Sequence, residues 1–152
     1  MITQYDKYMP EASHAGKIAN YQDYQADTKP ASEKIPFGAA LQLTADGESV
    51  STVKTGGKPV GIALASEVHD WINNEDDQHY KQFNPVAVVR KGTIWVRVGE
   101  DVIAGEEANV NPEDGRFYAA DTATVNTIKF PTAVFKTKAK LGGLAQLQIN
   151  LP

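Results

Sequence analysis

The side chains best suited to chemistry are three histidines, at positions 14, 69 and 79, and an acidic cluster beside the last of them. Glu75, Asp76 and Asp77 precede His79, and carboxylate and imidazole groups are common metal ligands. The spacing matches neither an HExxH zinc motif nor a calcium loop with its central glycine and closing glutamate. A solvated acidic loop explains these residues better, so we expect no metal site.

Nucleophilic and nucleotide-binding motifs are also missing. The chain has no cysteine, which excludes a thiol nucleophile, a disulfide framework and a Cys-ligated zinc. It has no nucleophile elbow, Walker loop or dinucleotide fingerprint, and the Gly56-Gly57-Lys58 turn lacks the following helix that an anion site needs. Carboxylates at Asn111–Asp114 are explained by a Pro-containing Asp-Gly turn. We therefore predict no catalytic residues.

A carrier function is excluded by one missing side chain. Residues 102–110 have some likeness to the hairpins of domains that carry biotinyl or lipoyl groups. Such domains need a lysine at an exposed turn, and here the turn reads Gly105-Glu106-Glu107. We predict that the chain is not an enzyme and binds no cofactor.

Size and charge restrict the partners. At 152 residues the chain is expected to form one domain with a substantial core. Its net charge is −4 and its basic residues are scattered singly, which argues against nucleic acid. No apolar run approaches the length of a membrane span, and the first residues lack the apolar region of a signal peptide. We expect synthesis in a cytoplasm and no membrane partner.

The strongest local structural signal is the stretch 85–98, PVAVVRKGTIWVRV. Two apolar runs meet at Gly92, which predicts a β-hairpin with the glycine in its turn. Ile94, Val96 and Val98 share one face of the second strand and are predicted to be buried. Trp95 and Arg97, on the other face, become candidates for an interface, since both residue types are enriched at interface centres.

The rest of the chain repeats this rhythm of short β-prone segments and turn signals. About eight to ten short strands, and no long amphipathic helix, predict a mainly β fold, a small antiparallel β-barrel or β-sandwich. Segments 124–130 and 132–137 are predicted as separate strands because Pro131 divides them. Residues 65–84 interrupt the rhythm: Val68, Trp71 and Ile72 have helical spacing, which predicts one short helical insertion.

Residues 1–34 differ in character from residues 35–152. Four of the six tyrosines, Tyr5, Tyr8, Tyr21 and Tyr24, lie here among few aliphatic residues. Such a segment buries too little apolar surface to order itself alone. We predict an extended N-terminal arm that becomes ordered on a partner, followed by a single β domain; an unstructured tail is the alternative. Tyrosine favours the arm because it combines contact area with a polar tip.

An ordered set of short motifs resembles one protein family. The set is EKIPFGAA at 33–40, PVGIA at 59–63, Tyr80-Lys81, PVAVV at 85–89, KGTIWV at 91–96 and VIAGE at 102–106. Together with the Tyr-containing arm, it resembles the capsid cement, or decoration, proteins of tailed bacteriophages. The insertion at 65–84 departs from that pattern.

This resemblance implies a structural protein on the outer capsid surface of the virion, made in the host cytoplasm. It implies binding to the major capsid protein as a homotrimer, or a dimer as in some relatives, with stabilisation of the mature head. Candidates for contact with the capsid or with other subunits are Tyr5, Tyr8, Tyr21, Tyr24, Trp95 and Arg97. Alternatives are a head-fibre base or tail component, and a carbohydrate-binding β-sandwich that stacks sugars on Trp95 or Trp71.

Overall fold

The structure, a computed structural model, describes residues 15–65 and 79–152, with the side chains of residues 20–23 left aside. These ranges contain strands and no helix, and so no helix that is long and apolar enough to cross a bilayer. The strands are β1 (Ile18–Pro30), β2 (Ile35–Pro36), β3 (Ala40–Leu43), β4 (Val50–Thr52), β5 (Gly61–Ala63), β6 (His79–Tyr80), β7 (Pro85–Arg97), β8 (Glu107–Val110), β9 (Phe117–Ala119), β10 (Ile128–Phe135) and β11 (Leu144–Asn150).

Strand β7 is the centre of the main sheet. It pairs with β1, β5 and β11, and the sheet runs in the order β4-β3-β5-β7-β11-β10-β8-β9. All the pairings between these strands are antiparallel. The predicted mainly β, antiparallel fold is therefore confirmed.

The hairpin predicted at Gly92 is wrong, because β7 is one continuous strand of 13 residues. Its pairing with β11 runs without a break from Arg97 through Gly92 to Lys91. Gly92 has a φ of +137°, and a Cβ placed on it would lie 3.3 Å from the Cβ of Tyr24 in β1. The glycine thus serves the close approach of β1 rather than a turn.

The break predicted at Pro131 is also wrong, since β10 passes through it. Thr132 takes a φ of +65° directly after the proline. Its hydroxyl donates to the carbonyl of Asn150 and accepts from the Asn150 N–H, both at 3.0 Å. These bonds from a side chain replace ladder bonds of the irregular residue, so the strand continues.

The larger hydrophobic core lies inside the curl of the sheet. The predicted trio Ile94, Val96 and Val98 is fully buried there, as expected from the period of two. Phe117, Phe130 and Phe135 come from β9 and β10, and the rings of Phe117 and Phe130 lie 5.8 Å apart. Ile18 of β1 also belongs to this core.

A smaller core lies on the opposite face of β3, β4, β5 and the start of β7. Adjacent residues divide between the two cores: Ala40, Ile62 and Val89 face the larger one, whereas Leu41, Ala63 and Val88 face the smaller one. The two-stranded sheet of β2 and β6 covers the smaller core, where Ile35 pairs with Tyr80. Strand β5 and the start of β7 are therefore buried on both faces, as their apolar runs indicate.

Both ends of the main sheet fold back toward its centre. Val50 of β4 forms a parallel bridge with Ala31, directly after β1, and Phe117 of β9 forms one with Val98, directly after β7. The sheet is therefore curled into a half-barrel. The helical turn predicted at Val68, Trp71 and Ile72 lies outside the described residues, whereas His79 and Tyr80, near the end of the predicted insertion, form β6.

Candidate contact surface

A charged cleft of about 420 Å³ lies between β2, β3 and the turn at 111–116. Two of its carboxylates, those of Glu33 and Asp114, are held by neighbouring side chains. Glu33 pairs with Lys54 at 3.0 Å and accepts a hydrogen bond of 2.8 Å from the Thr52 hydroxyl. Asp114 accepts one of 2.7 Å from the Tyr118 hydroxyl. In the described part of the chain, no group of three or more acidic or histidine side chains is placed to hold a metal ion.

The electrostatics of Glu33 identify it as a structural fastener. Burial alone would raise the pKa of its carboxyl, but the hydrogen bonds from Lys54 and Thr52 together outweigh burial and hold the pKa below its ordinary value. These bonds tie the connection after β1 to β4. The charges of the cleft thus stabilise the fold, and they show no arrangement for acid–base chemistry.

The six predicted contact residues are distributed over β1, β7 and the N-terminal segment. Tyr5 and Tyr8 lie outside the described residues, and Tyr21 lies in β1. Tyr24, also in β1, is exposed over 38% of its surface and packs against Gly92 of β7. Trp95 and Arg97 lie in the second half of β7, so the paired strands β1 and β7 carry all four of the candidates within the described residues.

Trp95 and Arg97 differ in how strongly they are held. Trp95 is half-buried, and its backbone bonds with Lys17 and Gly16 at 2.9 and 2.8 Å. Arg97 is exposed, and its guanidinium donates a hydrogen bond of 2.7 Å to the Gly142 carbonyl. Arg97 is therefore preoriented at the surface beside the hairpin between β10 and β11.

Sequence reasoning missed a set of apolar side chains that the structure exposes. They are Leu43, Phe83, Ile103 and Leu141. Phe83 stands out because 77% of its surface is exposed and its φ is +71°. Left-handed backbone is rare for a bulky residue. The available signal was a lone phenylalanine in the polar run Lys81–Asn84, which no periodic pattern requires.

A comparison with models of protein families shows which family the chain belongs to. Residues 1–150 match the family model described as "Structural cement protein (E217 gp24/Pam3 gp6)", a family of phage cement proteins. The chain belongs to this family. The resemblance seen in the sequence is thereby confirmed, as is the prediction that the chain is not an enzyme, because the family is one of structural proteins.

The fold of this cement protein is shared with a solved phage capsid structure. A chain from "The capsid of Myoviridae Phage XM1" superposes with a TM-score of 0.68 at 14% identity, covering 93% of this chain and 94% of that one. The head fiber gp8.5 N base of bacteriophage phi29 aligns with a TM-score of 0.47 at 15% identity, covering 83% and 93%. No curated protein matches the chain.

Family membership also fixes where the cement protein acts. It is a structural component of the phage virion, located in the capsid and made in the host. Its partners are capsid proteins.

Proposed function

We propose that this cement protein binds the outer surface of the mature head as a homo-oligomer and stabilises contacts between neighbouring major capsid subunits. A homotrimer is the expected state and a dimer the alternative. The observation that carries the proposal is the family match, which spans residues 1–150 of the 152. A cement protein acts by burying surface across several subunits, and multivalent attachment gives avidity without strong single contacts.

The described architecture suits a protein that must attach without changing shape. Two cores share β7, and the charged cleft is fastened internally by Glu33 and Lys54. A preorganised body loses less entropy on binding than one that must order itself. Residues 24–28 of β1 are exposed and, among the described strands, β1 bonds only to β7. This strand offers surface to a partner.

We assign the contacts of the arm to residues 1–34, with Tyr5, Tyr8, Tyr21 and Tyr24 as contact residues. Removing all of residues 1–34 would also remove β1, including buried Ile18 and the pairing along β7. A sharper test removes residues 1–14, which leaves every described strand in place. We expect the shortened protein to fold, to keep the same number of subunits in its oligomer, and to bind expanded heads more weakly.

The proposed function is tested by co-sedimentation with expanded capsids assembled from the major capsid protein of the same phage. The expected result is saturable binding and a higher temperature of capsid disruption, with unexpanded capsids as the control for state specificity. A measurement of mass in solution distinguishes trimer from dimer. Failure of the full-length protein to bind expanded capsids would refute the proposal.

A further inference from the structure

The turn that carries Phe83 combines two features that are costly for a folded protein. A phenylalanine ring exposed over 77% of its surface contributes almost nothing to a core. The left-handed backbone at φ +71° is unfavourable for a residue with a Cβ, and glycine or asparagine adopts it far more easily. Strained residues of this kind persist where the surrounding structure enforces them, and they cluster at functional sites.

The surrounding structure does enforce this conformation. The Phe83 N–H donates to the Ala31 carbonyl at 2.7 Å, and the Ala31 N–H donates to the Asn84 carbonyl at 2.9 Å. The side-chain amide of Gln82 donates to the Ser32 carbonyl at 3.1 Å. The turn is therefore clasped on the connection that follows β1.

The strand before the turn is fixed as well. Tyr80 of β6 packs its ring edge-on against Phe37, with 5.2 Å between ring centroids, and its hydroxyl donates to the carbonyl of Leu64. Directly after the turn, Pro85 opens β7 and pairs with Pro30. Phe83 thus lies between two anchored strands, with its backbone held by hydrogen bonds and its side chain exposed.

An exposed aromatic side chain on a fixed backbone has the chemistry of an interface anchor. Such anchors fill apolar recesses on a partner and account for a large share of the binding energy. The partners of this family are capsid proteins, so a capsid subunit is the partner to which the anchor is assigned. A second copy of this chain is the other possible partner, and the oligomeric state of the variant below tests it.

We propose that Phe83 is an apolar anchor through which this cement protein docks on a capsid subunit, its ring entering an apolar recess of that subunit. The inference rests on the proposed function, because that function supplies the capsid as the partner. We call residues 81–84 the anchor turn, and its hydrogen bonds to Ala31 and Ser32 fix the backbone that carries the ring.

The test is the full-length variant Phe83→Asn, which removes the ring and accepts left-handed backbone. We expect its affinity for expanded capsids of the same phage to fall on the order of 10-fold or more. We expect its melting temperature to stay the same or to rise by about 1–3 °C, because strain is relieved. Loss of binding without loss of stability separates an anchor from a structural residue.

The matched control is Ile103→Ser, which removes another strongly exposed apolar side chain, from the connection between β7 and β8. Its capsid affinity is expected to stay within about 2-fold of the wild type. The inference is overturned by unchanged binding of Phe83→Asn, by equal losses in both variants, by a fall in melting temperature of more than about 5 °C, or by dissociation of the oligomer. If the wild type itself does not bind, the proposed function has failed instead.

Discussion

The main sheet has two halves that bury their strands in different ways. Strands β3 and β5 and the start of β7 lie between the two cores, so both faces are covered. Strand β11 and the end of β7 bury every second residue and expose or half-expose the others, and β10 does the same except at the irregular residues Pro131 and Thr132. We call these the two-sided half and the one-sided half. The two-sided half carries buried side chains such as Leu41 and Ile62 on opposite faces, whereas the one-sided half keeps a free surface.

Small residues are the visible consequence in the two-sided half. Ala40, Gly61 and Ala63 are small and lie in β3 and β5, and at Gly61 the neighbouring strand β7 approaches closely. A Cβ on Gly61 would lie 2.5 Å from Cγ1 of Val88 and 2.7 Å from the carbonyl oxygen of Val89. The comparison indicates that close fit between neighbouring strands matters most in the two-sided half, whereas large buried side chains such as Phe135 matter most in the one-sided half.

The largest effect is expected for Phe135→Ala in the one-sided half. Phe135 is fully buried in the larger core, so its loss should lower the free energy of unfolding by about 3–5 kcal/mol, measured by urea denaturation. The matched variant Ile35→Ala, in the cover of the smaller core, should cost about 2–4 kcal/mol.

Hydrogen exchange shows whether the two halves respond separately. In Ile35→Ala the amides of β2 and β6 should exchange much faster, while those of β10 and β11 keep most of their protection. Equal acceleration in both halves would abolish the distinction between them.

A moderate effect is expected for Gly61→Ala in the two-sided half. The added methyl overlaps Val88 and the backbone of Val89, so the free energy of unfolding should fall by about 1–3 kcal/mol. The control is the same change in a Val88→Ala background, where part of the overlap is gone. A coupling of at least about 0.5 kcal/mol is expected between the two sites. Strict additivity of the two free-energy changes would show that Val88 does not restrict the side chain at position 61.

The smallest effect is expected for Glu33→Gln, at the surface of the two-sided half. The pKa of Glu33 lies below its ordinary value, so its carboxylate adds stability at neutral pH, and this is lost as pH falls through the folded-state pKa. Because the pair with Lys54 is partly exposed, the loss should be less than about 1 kcal/mol.

Melting temperatures at two pH values check this assignment. The variant should melt below the wild type at pH 7, and the difference should shrink as pH falls through the folded-state pKa of Glu33. Lys54→Gln should show the same pattern. A difference that persists at low pH would mean that the carboxylate charge is not its source.

The one-sided half was the more predictable part of the sequence. Alternation identified Ile94, Val96 and Val98 as core residues, and all three are buried. Gly92 and Pro131 led to wrong predictions of a turn and of a strand break. In the sequence alone, a glycine that makes room for Tyr24 looks like a turn residue, and a proline in an irregular strand looks like a strand breaker. Local patterns record residue preferences and carry no record of what approaches from a distant part of the chain.

The second layer and the anchor turn were not predictable for the same reason. Strands β2 and β6 have two residues each, too few to show a period. Phe83 takes its conformation from bonds to Ala31, which lies far away in sequence. Of the predicted contact residues, Tyr24, Trp95 and Arg97 have defined places on β1 and β7, and their contact with a partner stays a prediction.

The position of β7 in both cores couples the two halves in a single cooperative unit. Loss of this strand would remove Ile94 from the larger core and Val88 from the smaller core, so both cores would lose packing. Global unfolding of the main sheet is therefore expected as one transition, which local opening of β2 and β6 can precede. By mass action, any ligand that binds the folded form near the start of β7 would raise the melting temperature of the entire body.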